Sequence, residues 1–181
     1  MKKTSYPIKI RDITYIAFCA TLIIVCAWIK LPFVIPITMQ SFAIFLTAGL
    51  LGGKRATISV LLYILLGAIG LPVFSGFTGG IGILSSATGG YIFGFMLLPL
   101  CKWISEKHKP RSTIAFTVSQ AIGLLFCYTT GTLWYVYMFS DSTSATIAST
   151  LGICVTPFIL PDICKLALAI FITNRLKKHI K

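Results

Sequence analysis

The chain is 181 residues long, 56% hydrophobic and only 11% charged, with a net charge of +12 and a mean hydropathy of +0.91. Soluble domains carry about 25% charged residues, so an ordinary water-soluble fold is excluded. The positive charge sits in short clusters between apolar segments, with no aromatic-basic interleaving; that pattern belongs to membrane topology and excludes a nucleic-acid partner.

Two long stretches, Ala56 to Cys101 and Ser112 to Ser140, contain no Asp, Glu, Lys or Arg. A bilayer crossing takes about 20 apolar residues, so the first stretch has room for two crossings and the second for one. In chain order, the basic segment Met1 to Arg11 leads into an apolar run too long for a removable signal peptide and without a small-residue cleavage site. This run is read as a retained first helix over 13–31, ended by Lys30 and Pro32. A second helix is expected over 37–52, stopped by Gly52-Gly53-Lys54-Arg55, and a third over 56–71, ended by Gly70 and Pro72. Residues 72–87 form an uncharged, glycine-rich loop. Helices over 88–104, 113–135 and 161–176 follow. The apolar piece from Ile147 to Leu160, broken by Pro157, is read as partly re-entrant. The whole is expected to be a single transmembrane domain over 1–181, an all-α integral membrane protein of six transmembrane helices.

Fourteen of the sixteen Lys and Arg residues fall in the N-terminus, the turn after the second helix, the loop after the fourth and the C-terminus. Only Lys30 lies in the opposite loops, and Lys165 falls inside a predicted helix. This asymmetry places both termini in the cytoplasm.

Ionisable groups at membrane depth are costly and commonly mark function. Asp162 and Lys165, at the outer end of the sixth helix, stand at i,i+3 and share one face. They are either a self-neutralising pair or a polar patch for a ligand with both donors and acceptors. Gln40 lies at the same level early in the second helix, as packing glue or as a ligand contact. Eight of the fifteen glycines fall between Gly70 and Gly94. Irregular backbone in a membrane protein is tolerated where it is buried in protein or lines a cavity. The stretch therefore reads either as a loop folded over a site or as a plain connector. Ser75 and Gly76 lie on its first half, and Thr88, Gly90 and Tyr91 at its end. Small-xxx-small spacings, Ala17 with Thr21 among them, allow close helix approach within the fold or to another membrane protein.

Enzyme chemistry finds little support. Of four acidic residues, Asp12, Glu106 and Asp141 lie in loops or at interfaces, and His108 and His179 lie in basic segments. The six cysteines form no CxxC pair and no metal-ligand spacing, and read as packing residues. No phosphate-binding loop is present: at Gly53-Lys54, Ala48 stands at the first glycine position and Arg55 at the Ser/Thr position.

Several segments taken in order resemble the BioY family, the biotin-specific substrate-binding (S) components of energy-coupling factor (ECF) transporters. They are Pro36-Ile37-Thr38-Met39-Gln40-Ser41-Phe42, Leu50-Leu51-Gly52-Gly53-Lys54-Arg55, the run from Tyr63 to Phe74, Thr88-Gly89-Gly90-Tyr91-Ile92-Phe93-Gly94-Phe95, and Leu160-Pro161-Asp162-Ile163-Cys164-Lys165. The family's usual Pro-Gly-Asp stands here as Leu160-Pro161-Asp162, and its Gly-Pro-Thr-Gly-Gly as Ser86-Ala87-Thr88-Gly89-Gly90. The nearest counterpart of its Ala-x-x-x-Ala docking surface is Ala17-x-x-x-Thr21, with Thr in place of the second Ala. The resemblance implies an ECF S-component-like bundle in the bacterial plasma membrane that binds biotin as transported ligand, with no cofactor. It also implies a transmembrane coupling subunit and two cytoplasmic ATPase subunits as partners. Asp162, Lys165, Gln40, Tyr91, Ser75, Thr88, Gly76 and Gly90 are the candidate biotin-binding residues, and Ala17 and Thr21 the candidate docking residues. In such a site Asp162 would accept from the ureido ring, Lys165 would donate to its oxygen, and Gln40 could do either. The converse, with Lys165 on the valerate carboxylate, stays open. So do an S component for another vitamin, a membrane enzyme and a structural subunit.

Overall fold

The computed structural model describes residues 10–31, 36–107, 112–138, 150–152 and 155–179. In chain order these form α1 (Ile10–Trp28), β1 (Lys30–Leu31), β2 (Ile37–Thr38), α2 (Gln40–Leu51), α3 (Gly53–Ala68), α4 (Ile81–Leu84), α5 (Gly89–Gly94), α6 (Leu97–Glu106), α7 (Thr113–Met138) and α8 (Thr156–His179). Helices α1, α2, α3, α7 and α8, with α5 and α6 together as one interrupted helix, make a six-helix bundle. His108 and Asp141 lie outside the described residues, as does the stretch from Ile147 to Ser149.

Helix α2 is the hub, touching α1, α3, α6 and α8. Eight of its twelve residues are buried, among them Ala43, Ile44, Phe45 and Ala48. A helix apolar all round belongs in an interior. That explains how a helix of 12 residues serves here, surrounded by protein rather than crossing lipid alone. The outer helices show the opposite pattern. Both α1 and α7 are long and apolar enough to span a membrane, and they turn Phe18, Ile114, Leu125 and Phe126 outward. Large apolar side chains on the outside suit a lipid solvent and would be costly in water.

The helix boundaries differ from the expected ones for identifiable reasons. Helix α1 stops at Trp28, because Lys30 and Leu31 pair antiparallel with Thr38 and Ile37 in a short hairpin; this also delays α2 to Gln40. The expected fourth helix is broken at Phe95–Met96. Pro99 has no N–H to bond the Phe95 carbonyl, and its ring crowds that carbonyl; at the break the chain tightens, with Met96 N–H on Phe93 O three residues back at 3.1 Å. The last helix begins at Thr156 rather than Pro161 and runs through Pro161. Pro157 sits in its first turn, where a missing N–H costs nothing, so for the described part of the expected re-entrant piece, Thr156 to Leu160 is regular helix.

The α2–α3 turn is set by Gly52, at φ +81, and by Glu106, whose Oε2 accepts from Gly53 N–H at 2.9 Å. A carboxylate at a helix N-terminus is favourable. Gly53 lies so close to α6 that a Cβ there would strike the Trp103 backbone nitrogen. Gly53→Ala therefore has to push two helices apart, and we expect it to cost about 1–3 kcal/mol in stability. Denaturation of the variant in detergent reads this directly, and an unchanged midpoint would refute the close approach.

Candidate functional site

At the end of the bundle that carries α4, helices α2, α3, α5, α7 and α8 enclose a cavity of about 230 Å3. Its polar wall comes from Thr38, Gln40, Ser41, Tyr128, Asp162 and Lys165, and its apolar wall includes Phe74, Ile92, Phe95, Leu124 and Phe158. A mostly apolar pocket with a few convergent polar groups is the usual form of a small-molecule site.

The charged pair is held on all sides. Asp162 Oδ1 accepts from Lys165 Nζ at 2.9 Å and from Ser41 Oγ at 2.8 Å, and Oδ2 accepts from the Tyr128 hydroxyl at 2.7 Å. Lys165 Nζ further donates to the Thr38 carbonyl at 2.8 Å and to Ser41 Oγ at 3.2 Å. Asp162 is 4% exposed and Lys165 8%. Burial of both charges is tolerable because each has several hydrogen-bond partners. An ammonium group has three protons, and all three are engaged here, whereas the carboxylate keeps acceptor capacity.

Two buried polar atoms on the cavity wall have no partner, Gln40 Nε2 and Ser75 Oγ. Gln40 faces the hydroxyl of Tyr63, which also lines the cavity. Orphaned buried donors are costly unless something in the site meets them. A ligand with an acceptor near Gln40 and a polar group near Ser75 would satisfy both.

The glycine-rich segment is folded over the site rather than strung past it. Phe74 is 1% exposed and meets Tyr63 edge-on, with ring centroids 5.5 Å apart. Its ring occupies the space that a side chain at Gly67 would fill. Phe74 also bridges to Thr78, and Gly80 N–H bonds Gly67 O at 2.7 Å. From α1, Trp28 donates its indole N–H to Pro72 O at 3.0 Å and stacks on Phe77 at 4.7 Å.

Of the eight candidate binding residues, Asp162, Lys165, Gln40, Ser75, Thr88 and Tyr91 line this cavity. Gly76 and Gly90 do not. Gly76, at φ +80, turns the backbone beside the Lys30 ammonium, and Gly90 lets α5 approach α7 where a Cβ would strike Trp134 and the Thr130 carbonyl. Both glycines shape the surroundings and bring no group to the cavity. Ala17 and Thr21 are exposed on one face of α1, with Thr21 Oγ1 turned back onto the Ala17 carbonyl at 3.1 Å.

Sequence reasoning passes over Ser41, Tyr128 and Tyr63. The signal for Ser41 is its place directly after Gln40 at the start of α2. The signal for Tyr128 is a tyrosine four residues beyond Leu124 in an otherwise apolar helix. Among the described residues, no cluster of three His, Cys, Asp or Glu side chains offers a metal site.

The BioY family model matches residues 1–181. The chain is 37% identical over 169 residues to a biotin transporter BioY of Thermotoga maritima, covering 93% of this chain and 96% of the relative. It is 36% identical over 170 residues to a probable biotin transporter BioY of Pyrococcus horikoshii, covering 93% and 98%. Its fold matches a crystal structure of the S-component for biotin from an ECF-type ABC transporter, with a TM-score of 0.80 and 28% identity, over 98% of this chain and 95% of that one.

Proposed function

The chain belongs to the BioY family, and from that premise we propose that it is the substrate-binding membrane subunit for high-affinity biotin uptake, a transporter component rather than an enzyme. The observation that carries this reading is the cavity between the helices, with a hydrogen-bonded carboxylate, a partnerless amide donor and apolar walls at one level. Biotin presents matching chemistry. Its ureido ring has two N–H donors and one carbonyl acceptor, and its sulfur ring prefers apolar walls.

The hydrogen bonds around Asp162 argue for a division of labour different from the simplest one. Lys165 has no proton left to give a ligand, so its role is to hold Asp162 in place and balance its charge. Asp162 then accepts from a ureido N–H, and Gln40 Nε2 donates to the ureido oxygen. Ser75, Thr88 and Tyr91 stand nearer the glycine-rich cover, where the valerate carboxylate would lie. Biotin is cargo here, and no cofactor is required for binding.

The reading extends to the assembly. The chain would act as one domain in the bacterial plasma membrane, with its basic ends in the cytoplasm. Uptake would be driven by a transmembrane coupling subunit and two cytoplasmic ATPase subunits, since the chain has no phosphate-binding loop of its own. The exposed Ala17–Thr21 face of α1 would meet the coupling subunit through small-residue packing.

The test is uptake of labelled biotin into cells lacking biotin transport, with the chain produced alone or together with an ECF module. Uptake that is competed by unlabelled biotin and raised by the module is the expected result. Uptake competed by a different vitamin and indifferent to biotin would replace the reading with an S component of other specificity.

A further inference from the structure

A second, smaller cavity of about 50 Å3 lies at the opposite, basic end of the bundle, between α6, α7 and α8. Its wall is built from Lys102, Ser112, Thr113, Thr173, Asn174 and Lys177. Lys102 is 3% exposed. Its Nζ lies 3.6 Å from Glu106 Oε1 and 5.4 Å from the centre of the Phe116 ring. Glu106 is shared, because its other oxygen accepts from Gly53 N–H. The remaining described carboxylates are taken up elsewhere: Asp12 by Arg55 and Asp162 by Lys165. Among the described residues, Lys177 is left without a carboxylate of its own. Burial and the charge of Lys102 both disfavour its ammonium form, and the charge of Glu106 favours it, so the two lysines share a single carboxylate.

The rest of the wall offers donors. Ser112 Oγ accepts from Ala115 N–H at 3.2 Å, which leaves its own hydroxyl proton free to turn inward. Thr173 is 3% exposed and turns its Oγ1 toward Gly49 of α2, so it closes the wall without offering a donor, and Asn174 adds an amide. The first turn of α7, a helix of 26 residues, adds the positive end of its dipole. Two cations, two hydroxyls and an amide around a small recess make a site for a tetrahedral oxyanion. Basic recesses between transmembrane helices at the cytoplasmic surface suit anionic lipid headgroups.

We propose that this recess binds a phosphate group, held by Lys102 and Lys177 and by the hydroxyl and amide groups of Ser112, Thr113 and Asn174. The phosphate is that of an anionic phospholipid headgroup or of a soluble phosphate compound, and the chemistry of recognition is the same for both. Its occupation would tie the start of α7 to the ends of α6 and α8. The site is separate from the biotin cavity and does not depend on the transport reading.

Native mass spectrometry of the full chain in a neutral detergent tests it, with phosphatidylglycerol and phosphatidylcholine of identical acyl chains offered together. The expected result is one phosphatidylglycerol retained per chain, with at least about a tenfold preference over phosphatidylcholine. The double variant Lys177→Ala/Asn174→Ala should lose that preference while biotin binding stays unchanged, Lys177→Arg should keep it, and Lys54→Ala, another exposed lysine at that end, should not alter it. Displacement of the lipid by millimolar inorganic phosphate would assign recognition to the phosphate group alone. Lipid retention that resists inorganic phosphate would assign it to the whole headgroup. Equal retention of both lipids with no effect of inorganic phosphate, or a preference untouched by the double variant, would overturn the proposal.

Discussion

Asp162→Asn is expected to abolish high-affinity biotin binding and to destabilise the empty protein as well. The carboxylate is the acceptor for Lys165, Ser41 and Tyr128. Removing one partner of a buried ion pair leaves the other charge uncompensated, at about 3–5 kcal/mol. The ligand also loses a hydrogen bond to a charged group, about 1.5–3 kcal/mol, or roughly 10- to 150-fold in affinity, and the disturbed Ser41 and Tyr128 add to that. The neutralised double variant Asp162→Asn/Lys165→Gln separates the two effects. It should recover much of the lost stability, because no charge remains buried, and recover none of the binding. If the single variant kept wild-type affinity, Asp162 would be a structural ion-pair member and the ligand would lie elsewhere.

Gln40→Leu is expected to separate the two effects, with binding weakened and stability kept. Gln40 is 3% exposed and its Nε2 has no partner, so leucine of similar size removes an unsatisfied donor. Loss of the neighbouring interaction with Tyr63 offsets that gain, and the net change in the empty protein should stay within about 1 kcal/mol. In the complex, however, the ureido oxygen would face a methyl group, and an unpaired buried acceptor costs about 1–3 kcal/mol. The variant should thus bind biotin roughly 5- to 150-fold more weakly with a nearly unchanged unfolding midpoint. Unaltered affinity would show that Gln40 does not touch the ligand, and the division of roles between Gln40 and Lys165 would fail.

Parts of this site are legible in the amino-acid sequence because the relevant geometry is local. Asp162 and Lys165 are one helical turn apart, so their pairing follows from helix periodicity alone. Their placement beside Gln40 follows from membrane level, which the positive-charge asymmetry defines. The partners Ser41 and Tyr128 are different in kind. They reach Asp162 only because α2 and α7 pack against α8, and an apolar helix does not announce which of its residues faces inward. The glycines mislead for a related reason. A glycine that turns a loop and one that admits a neighbouring helix look identical in sequence, and Gly90 serves the second purpose. The break at Phe95–Met96 is readable from Pro99, whose missing hydrogen bond divides the fourth helix where α5 and α6 divide. Expecting an unbroken span there gives too much weight to the absence of charge. Pro161 leads to the opposite error, since it lies inside α8 rather than at its start.

The most direct test of the central claim is equilibrium binding of labelled biotin to the purified chain, reconstituted in lipid without any partner subunit. Saturable binding of one biotin per chain is expected, lost in Asp162→Asn and weakened in Gln40→Leu. Saturable binding that both substitutions leave intact, or no detectable binding by the folded wild-type chain, would contradict it.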